Sequence, residues 1–179
     1  MLDITNQNIY LIGMMGSWKS TVGKQLAKII NLDFIDIDDQ IEEMMNMNIS
    51  DIFTKFGEKR FREMESAYFS EICKQKGKIF STGGGIILDF KNREILQDTG
   101  ITIFLDTSIS VLVNRIRNTK KRPLLNNSQD LQKTLENIWF DRKHFYKDCA
   151  KYTVNTNDLK PNQVTNNIIK ILGITVEEN

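Results

Sequence analysis

A lysine and a hydroxyl residue placed just after a glycine-rich turn form a pattern suited to holding phosphate. Residues 13 to 21 read Gly-Met-Met-Gly-Ser-Trp-Lys-Ser-Thr. The phosphate-loop pattern is glycine, four residues, glycine, lysine, then serine or threonine. Gly13, Lys19 and Ser20 stand in their places, and Trp18 stands where the second glycine belongs. In such a loop the backbone N–H groups and the following helix N-terminus cradle phosphate oxygens. Lys19 would reach the β- and γ-phosphates of a nucleotide, and the Ser20 hydroxyl would hold Mg²⁺. A strand-to-helix turn with an incidental lysine is the plain alternative. Three placements are open to Trp18. Its backbone can sit at positive φ, which costs about 1–2 kcal/mol relative to glycine. Its indole can cover the approach of phosphate, or the ring can turn outward and reshape the nucleotide pocket.

Carboxylates, arginines and more glycines follow. Phe34-Ile35-Asp36-Ile37-Asp38-Asp39 puts acids at the end of a strand, where alternation sends Asp36 and Asp38 to one side. One can hold water around Mg²⁺ while the other accepts a proton from a substrate hydroxyl. Helix capping is the alternative for Asp38 and Asp39, and the preferred one for Asp39. Phe61-Arg62-Glu63-Met64-Glu65 sets a guanidinium beside a core-facing phenylalanine, with Glu65 to orient it. A surface ion pair, worth about 0.2–0.5 kcal/mol, is the bland reading, and Arg142 carries the same ambiguity. Ser81-Thr82-Gly83-Gly84-Gly85 is either a flexible turn or bare backbone offered to an anionic or hydroxylated substrate. Arg115, Arg117, Lys120, Lys121 and Arg122 form a basic run, which is usually a solvated face. Pro123 forces Arg122 out of helical geometry, however, as suits a lid closing an arginine over a transferring phosphoryl group. His144 is the only histidine, which excludes a histidine-centred triad or a histidine metal cluster.

Alternating strands and helices must position these groups. Asn8 to Ile12 is a continuous apolar run, the mark of a strand buried on both faces. The pattern predicts a helix over 19–30, a strand over 34–37, and a helix opened by a capping box of Asp39 with Glu42. It predicts a helix over 58–73, strands over 78–81 and 101–105, and a helix over 108–117. A polar, basic loop over 118–127, a helix over 128–148, a strand over 152–154 and a helix from Pro161 to Leu172 complete the chain. This order implies an α/β fold whose parallel sheet carries helices on both faces. Both glycine clusters then fall at strand carboxyl ends, where such sheets bind ligands.

The whole-chain numbers exclude several classes. The chain has 179 residues, 40% hydrophobic, which predicts one domain over 1–179. Its 24 Lys+Arg against 23 Asp+Glu leave a net charge of +1, unlike a general nucleic-acid or membrane-surface binder. No apolar stretch approaches the roughly 18 residues of a membrane span, and no targeting segment is visible. Cys73 and Cys149 are too few and too scattered for a disulfide framework or zinc site, and they fit a reducing cytoplasm.

Taken in order, these motifs resemble those of shikimate kinases, a family of P-loop small-molecule kinases. The resemblance spans about residues 8–172. It rests on the near-phosphate loop, Phe34 to Asp38, Phe61-Arg62 with Glu65, Ser81 to Gly85, Arg122-Pro123-Leu124-Leu125, and Arg142 followed four residues on by Tyr146. It implies a three-layer fold with a five-stranded parallel sheet, a helical substrate-binding region over about 33–61 and a lid over about 117–129. It implies ATP-dependent phosphorylation of the 3-hydroxyl of shikimate, a step of aromatic amino-acid biosynthesis, with Mg²⁺, by a monomer.

By matching position, Gly13, Gly16, Ser17, Trp18, Lys19, Ser20 and Thr21 resemble the nucleotide loop, with Ser20 and Asp36 toward Mg²⁺. Asp38 resembles the residue that activates the substrate hydroxyl. Arg62 and Arg142 resemble the carboxylate clamp, helped by Gly83, Gly84 and Gly85. Arg122 resembles the lid arginine and Arg115 the residue that stacks on adenine, with Asn155 to Pro161 on the other side of the base. Lys19, Asp38 and Arg122 are thus the expected catalytic groups. Another small-molecule kinase, acting on gluconate for example, and a kinase-like binding protein impaired by Trp18 are the competing expectations. Trp18 itself is expected to weaken ATP binding.

Overall fold

The computed structural model describes residues 6–117 and 131–175. Five parallel strands lie in the order β2-β3-β1-β4-β5: β1 Asn8–Ile12, β2 Asp33–Asp36, β3 Lys78–Ser81, β4 Gly100–Asp106 and β5 Tyr152–Asn155. The helices are α1 Lys19–Ile30, α2 Ile37–Met45, α3 Ile49–Ile72, α4 Phe90–Asp98, α5 Ile109–Arg117, α6 Leu131–Cys149 and α7 Pro161–Leu172. A 3₁₀ turn over Ile86–Leu88 follows the glycine run.

Every residue of β1 is buried because alternate side chains feed two different cores. Ile9 and Leu11 join Ile79, Ile103 and Leu105 against Val22 and Leu26 of α1 and Val164 and Ile168 of α7. Tyr10 and Ile12 point the other way, into a layer built with Phe80, Phe104, Phe61, Phe69 and Leu135. The result is three layers, helices on both faces of one sheet, as the alternation implies. From β1 the chain leaves toward β2 on one side, and from β4 toward β5 on the other. The resulting switch point, at the carboxyl ends of β1 and β4, is where doubly wound sheets form their ligand crevice.

Three local readings need correction. The strand over 34–37 ends at Asp36, because the Asp36 carboxylate accepts from the backbone N–H of Asp38 (3.1 Å) and Asp39 (3.4 Å) and starts α2 at Ile37. Asp36 is therefore the cap in place of Asp39, and strand alternation does not relate Asp36 to Asp38. The helix expected over 58–73 begins at Ile49, where Asn48 caps it, and kinks at Gly57 (φ 79°, ψ 162°). Asp89, accepting from Lys91 N–H at 2.7 Å, caps α4, which the apolar periodicity does not reveal.

Candidate active site

The turn between β1 and α1 is shaped by what little space it has. Gly13 (φ 146°) and Gly16 (φ 82°) both take backbone conformations that disfavour side chains. A Cβ on Gly13 would also lie 2.8 Å from the Leu105 carbonyl oxygen and 2.9 Å from Ser17 Oγ. Ser17 is fully buried, its N–H closes the turn onto the Met14 carbonyl (3.2 Å), and its Oγ has no hydrogen-bond partner. Lys19, 8% exposed, curls back so that Nζ donates to the carbonyls of Gly13 (2.9 Å) and Met14 (3.0 Å). The ammonium is thus held inside the curve of the loop, while Ser20 and Thr21 lie at its exposed rim.

Trp18 takes the first of the three placements open to it. Its φ of 71° and ψ of 20° are left-handed, the conformation glycine supplies freely at about 1–2 kcal/mol less. The indole packs in part on the α1–α7 core and carries Arg115 over its face, with Cζ 3.3 Å from the ring centroid. Arg115 also donates to the Thr156 carbonyl (2.6 Å) and Thr156 Oγ1 (3.1 Å). Thr156, fully buried, shares a hydrogen bond with Thr107 at 2.7 Å. Burial lowers the Arg115 pKa to about 10, so it stays charged at neutral pH. Among the residues of the 155–161 loop, it is Thr156 that meets Arg115. Asn155 accepts from the Asn157 N–H (2.9 Å), and Pro161 opens α7.

Oxygen donors converge beside the loop. Ser20 Oγ and Ser81 Oγ are 3.3 Å apart, and Ser81 is in register with Asp36 across β2 and β3. Among the described residues no group of three or more His, Cys, Asp or Glu could hold a metal ion. Two hydroxyls and one carboxylate fit Mg²⁺, a hard cation that keeps water and takes most of its ligands from bound phosphates. They do not fit a metal caged by protein alone.

The second glycine cluster faces a partly buried ion pair. Arg62 Nη1 donates to Glu65 Oε2 at 2.6 Å, with Glu65 only 1% exposed. Arg62 also meets the exposed Glu58 at 3.3 Å and lies over the Phe61 ring, 5.1 Å from its centroid. Arg62 Nε and Glu65 Oε1 are buried with no partner. Such orphaned atoms cost free energy unless something answers them. Burial pushes the Glu65 pKa up, against the pull of Arg62 and with a push from Asp38. For Arg62 burial works against the charge, but the carboxylates of Glu65 and Glu58 outweigh it.

Two of the three glycines lie against this pair. A Cβ on Gly83 would overlap Glu65 Oε1 and sit 3.0 Å from Asp38 Oδ1, and one on Gly85 would overlap the Arg62 guanidinium. The Gly84 carbonyl accepts from Arg142 Nη1 (3.1 Å) and from the Tyr146 hydroxyl. The structure thus gathers Asp38, Arg62, Gly83, Gly84, Gly85 and Arg142, and adds Glu65 and Tyr146 as their supports. Tyr146 is fully buried, its ring stacked on Phe104 (centroids 5.2 Å apart), and burial raises its pKa to about 12. Its place four residues after Arg142, one helical turn away, is the sequence signal for that role. Arg122 and nearly all of the expected lid lie outside the described residues.

Known proteins of similar sequence and fold point to one family. The family model described as shikimate kinase matches residues 15–173. A shikimate kinase from Buchnera aphidicola is 38% identical over 166 residues, covering 93% of this chain and 96% of that protein. One from a Sulfurihydrogenibium species is 39% identical over 163 residues, covering 91% and 96%. The solved structure of the Acinetobacter baumannii shikimate kinase in complex with shikimate superposes with a TM-score of 0.88 at 34% identity, covering 94% of each chain. A gluconokinase from Sinorhizobium meliloti, 17% identical with a TM-score of 0.57, covers 94% of this chain and 93% of its own and shares the fold alone.

Proposed function

The chain belongs to the shikimate kinase family, and from that premise we propose how its residues carry the reaction. It is a phosphotransferase of aromatic amino-acid biosynthesis that moves the γ-phosphoryl group of ATP to the 3-hydroxyl of shikimate. The observation that supports the residue assignment best is the adjacency of two unlike surfaces. One is a phosphate-type loop with a buried lysine, and the other an arginine–glycine pocket holding unanswered buried polar atoms.

In this reading Gly13, Gly16, Ser17, Trp18, Lys19, Ser20 and Thr21 receive the nucleotide phosphates. Lys19 exchanges the carbonyls of Gly13 and Met14 for β- and γ-phosphate oxygens, and stabilises charge as it builds on the transferring group. Arg62 and Arg142 take the shikimate carboxylate, a task for the planar guanidinium fork. The backbone of Gly83 to Gly85 lies along the substrate. Asp38 holds the attacking hydroxyl and accepts its proton. Glu65 is kept from the reaction by its bond to Arg62, and its task is to aim that guanidinium. Arg115 and the segment from Asn155 to Pro161 flank the adenine. Arg122 closes over the phosphates from the lid over about 117–129, opposite a substrate-binding region over about 33–61. Ser20 and Asp36 would hold Mg²⁺, directly or through water, and when bound it neutralises phosphate charge. No helix among the described residues is long and apolar enough to cross a membrane. We place the protein in the cytoplasm, as a single-domain monomer.

A coupled ADP-release assay with shikimate, quinate and gluconate tests the assignment. Turnover dependent on shikimate is expected from the unaltered chain. Turnover with gluconate alone, or none until Trp18 is replaced by glycine, would overturn it.

A further inference from the structure

Trp18 sits where a phosphate loop ordinarily has glycine, in a backbone conformation that glycine adopts freely and tryptophan does not. Strained positions of this kind persist where the surroundings over-determine them, and they gather at functional sites. Besides its packing on the α1–α7 core, Trp18 meets a charged group. The Arg115 guanidinium lies over the indole, its Cζ 3.3 Å from the ring centroid. Two hydrogen bonds to Thr156, at 2.6 and 3.1 Å, tether the guanidinium. A further contact at 3.5 Å reaches the Gly16 carbonyl of the phosphate loop itself. Hydrogen bonds and a ring face together leave this long side chain little freedom, and without the ring the arginine would lose one of these restraints.

We propose that Trp18 is a positioning residue of the nucleotide site, which fixes the Arg115 guanidinium by stacking so that it forms a ready-made wall for the adenine base. This rests on the assignment of Arg115 to the base side of the nucleotide. It reverses the expectation that Trp18 weakens ATP binding: the tryptophan trades backbone ease in the loop for an arginine ordered before the ligand arrives. Ordering paid in the free protein is not charged again on binding, so the gain appears as affinity for the base-bearing ligand. The phosphate-binding part of the loop has no share in it.

Calorimetric titration with ADP and, separately, with inorganic tripolyphosphate tests this on the full chain. The variants are Trp18→Gly, Trp18→Phe and Arg115→Ala, each first checked for cooperative melting. Loss of an aromatic face from a cation is expected to weaken ADP binding about 3- to 10-fold in Trp18→Gly. Tripolyphosphate affinity is expected to stay the same or rise, because glycine suits the loop. Trp18→Phe, which keeps a flat ring, is expected to recover most of the loss. In turnover assays the change should fall on the KM for ATP and leave the KM for shikimate in place.

Several outcomes overturn the proposal. They are equal or tighter ADP binding by Trp18→Gly, an equal loss with tripolyphosphate, or no recovery by phenylalanine. The two assignments also fail differently. If Arg115→Ala weakens ADP and Trp18→Gly does not, the role of Trp18 falls while the base pocket stands. If Arg115→Ala binds ADP like the unaltered chain, the base pocket assignment itself falls.

Discussion

The three consecutive glycines should not tolerate a methyl group equally, and the difference separates close approach from mere flexibility. None of Gly83, Gly84 and Gly85 has positive φ, so alanine is conformationally allowed at each, and only space decides. At Gly83 the new methyl would overlap Glu65 Oε1. Glu65 is 1% exposed and cannot retreat into solvent, so it must shift and draw on its 2.6 Å bond to Arg62. Overpacking costs about 1–3 kcal/mol and loss of a charged hydrogen bond about 1.5–3 kcal/mol, about 2.5–6 kcal/mol together. At about 1.4 kcal/mol per decade, kcat/KM for shikimate should fall about 10²- to 10⁴-fold. Gly85→Ala, directed at the Arg62 guanidinium, should fall into the same range. At Gly84 the methyl would meet the Gly13 carbonyl oxygen and the Met15 nitrogen at 3.5 Å, ordinary contact distances. Gly84→Ala should therefore stay within about 3-fold of the unaltered protein, since no overpacking arises. The assay is steady-state ADP release with shikimate varied at saturating ATP. Equal damage at all three positions would refute the reasoning, because the run would then be needed for flexibility.

Arg62→Ala should raise the KM for shikimate strongly and leave that for ATP nearly unchanged; an effect confined to ATP kinetics would remove Arg62 from the clamp. Tyr146→Phe deletes one donor to the Gly84 carbonyl and should cost about 0.5–1.5 kcal/mol in thermal unfolding, with a higher KM for shikimate. An unshifted melting curve would show that bond to carry nothing. Burial raises the Glu65 pKa above its ordinary 4.5, so above that pH the folded chain binds more protons than the unfolded one. Stability therefore declines as pH rises through the window. Glu65→Gln should flatten this slope in melting curves collected from pH 4.5 upward, and an unchanged slope would count against the buried carboxyl.

The alternation of apolar strands and amphipathic helices made the layers readable, because the parallel sheet is buried on both faces and its strands are nearly continuous apolar runs. Elements starting from a polar cap were harder. Asp36, Asp38 and Asp39 are three acids in four positions, and only the folded backbone decides that Asp36 caps α2. The position of α4 escaped for a similar reason: its sequence, Phe-Lys-Asn-Arg-Glu-Ile-Leu-Gln-Asp, buries only Asn92 and Leu96, too few for a visible face. In the site, residue types that advertise chemistry were legible, as were Glu65 beside Arg62 and the spacing of Tyr146 from Arg142. Thr156 looks like an ordinary loop position until Arg115 is seen against it.

Gly84 also shows how two glycine clusters, far apart in sequence, come to lie side by side. Its Cα faces the Gly13 carbonyl and the Met15 nitrogen, and the Tyr146 hydroxyl that bonds its carbonyl lies 3.8 Å from Met14 Sδ. The loops touch because β1 and β3 are hydrogen-bonded neighbours, with Leu11 in register with Ser81. Thr82 reinforces the join, its N–H (3.3 Å) and Oγ1 (3.0 Å) both donating to the Leu11 carbonyl. Phosphoryl transfer asks the protein mainly for placement of donor and acceptor. Strand register fixes how these two loops lie against each other. A bulky residue at position 84 would push the two loops apart, and in steady-state assays it should change kcat more than the KM for ATP.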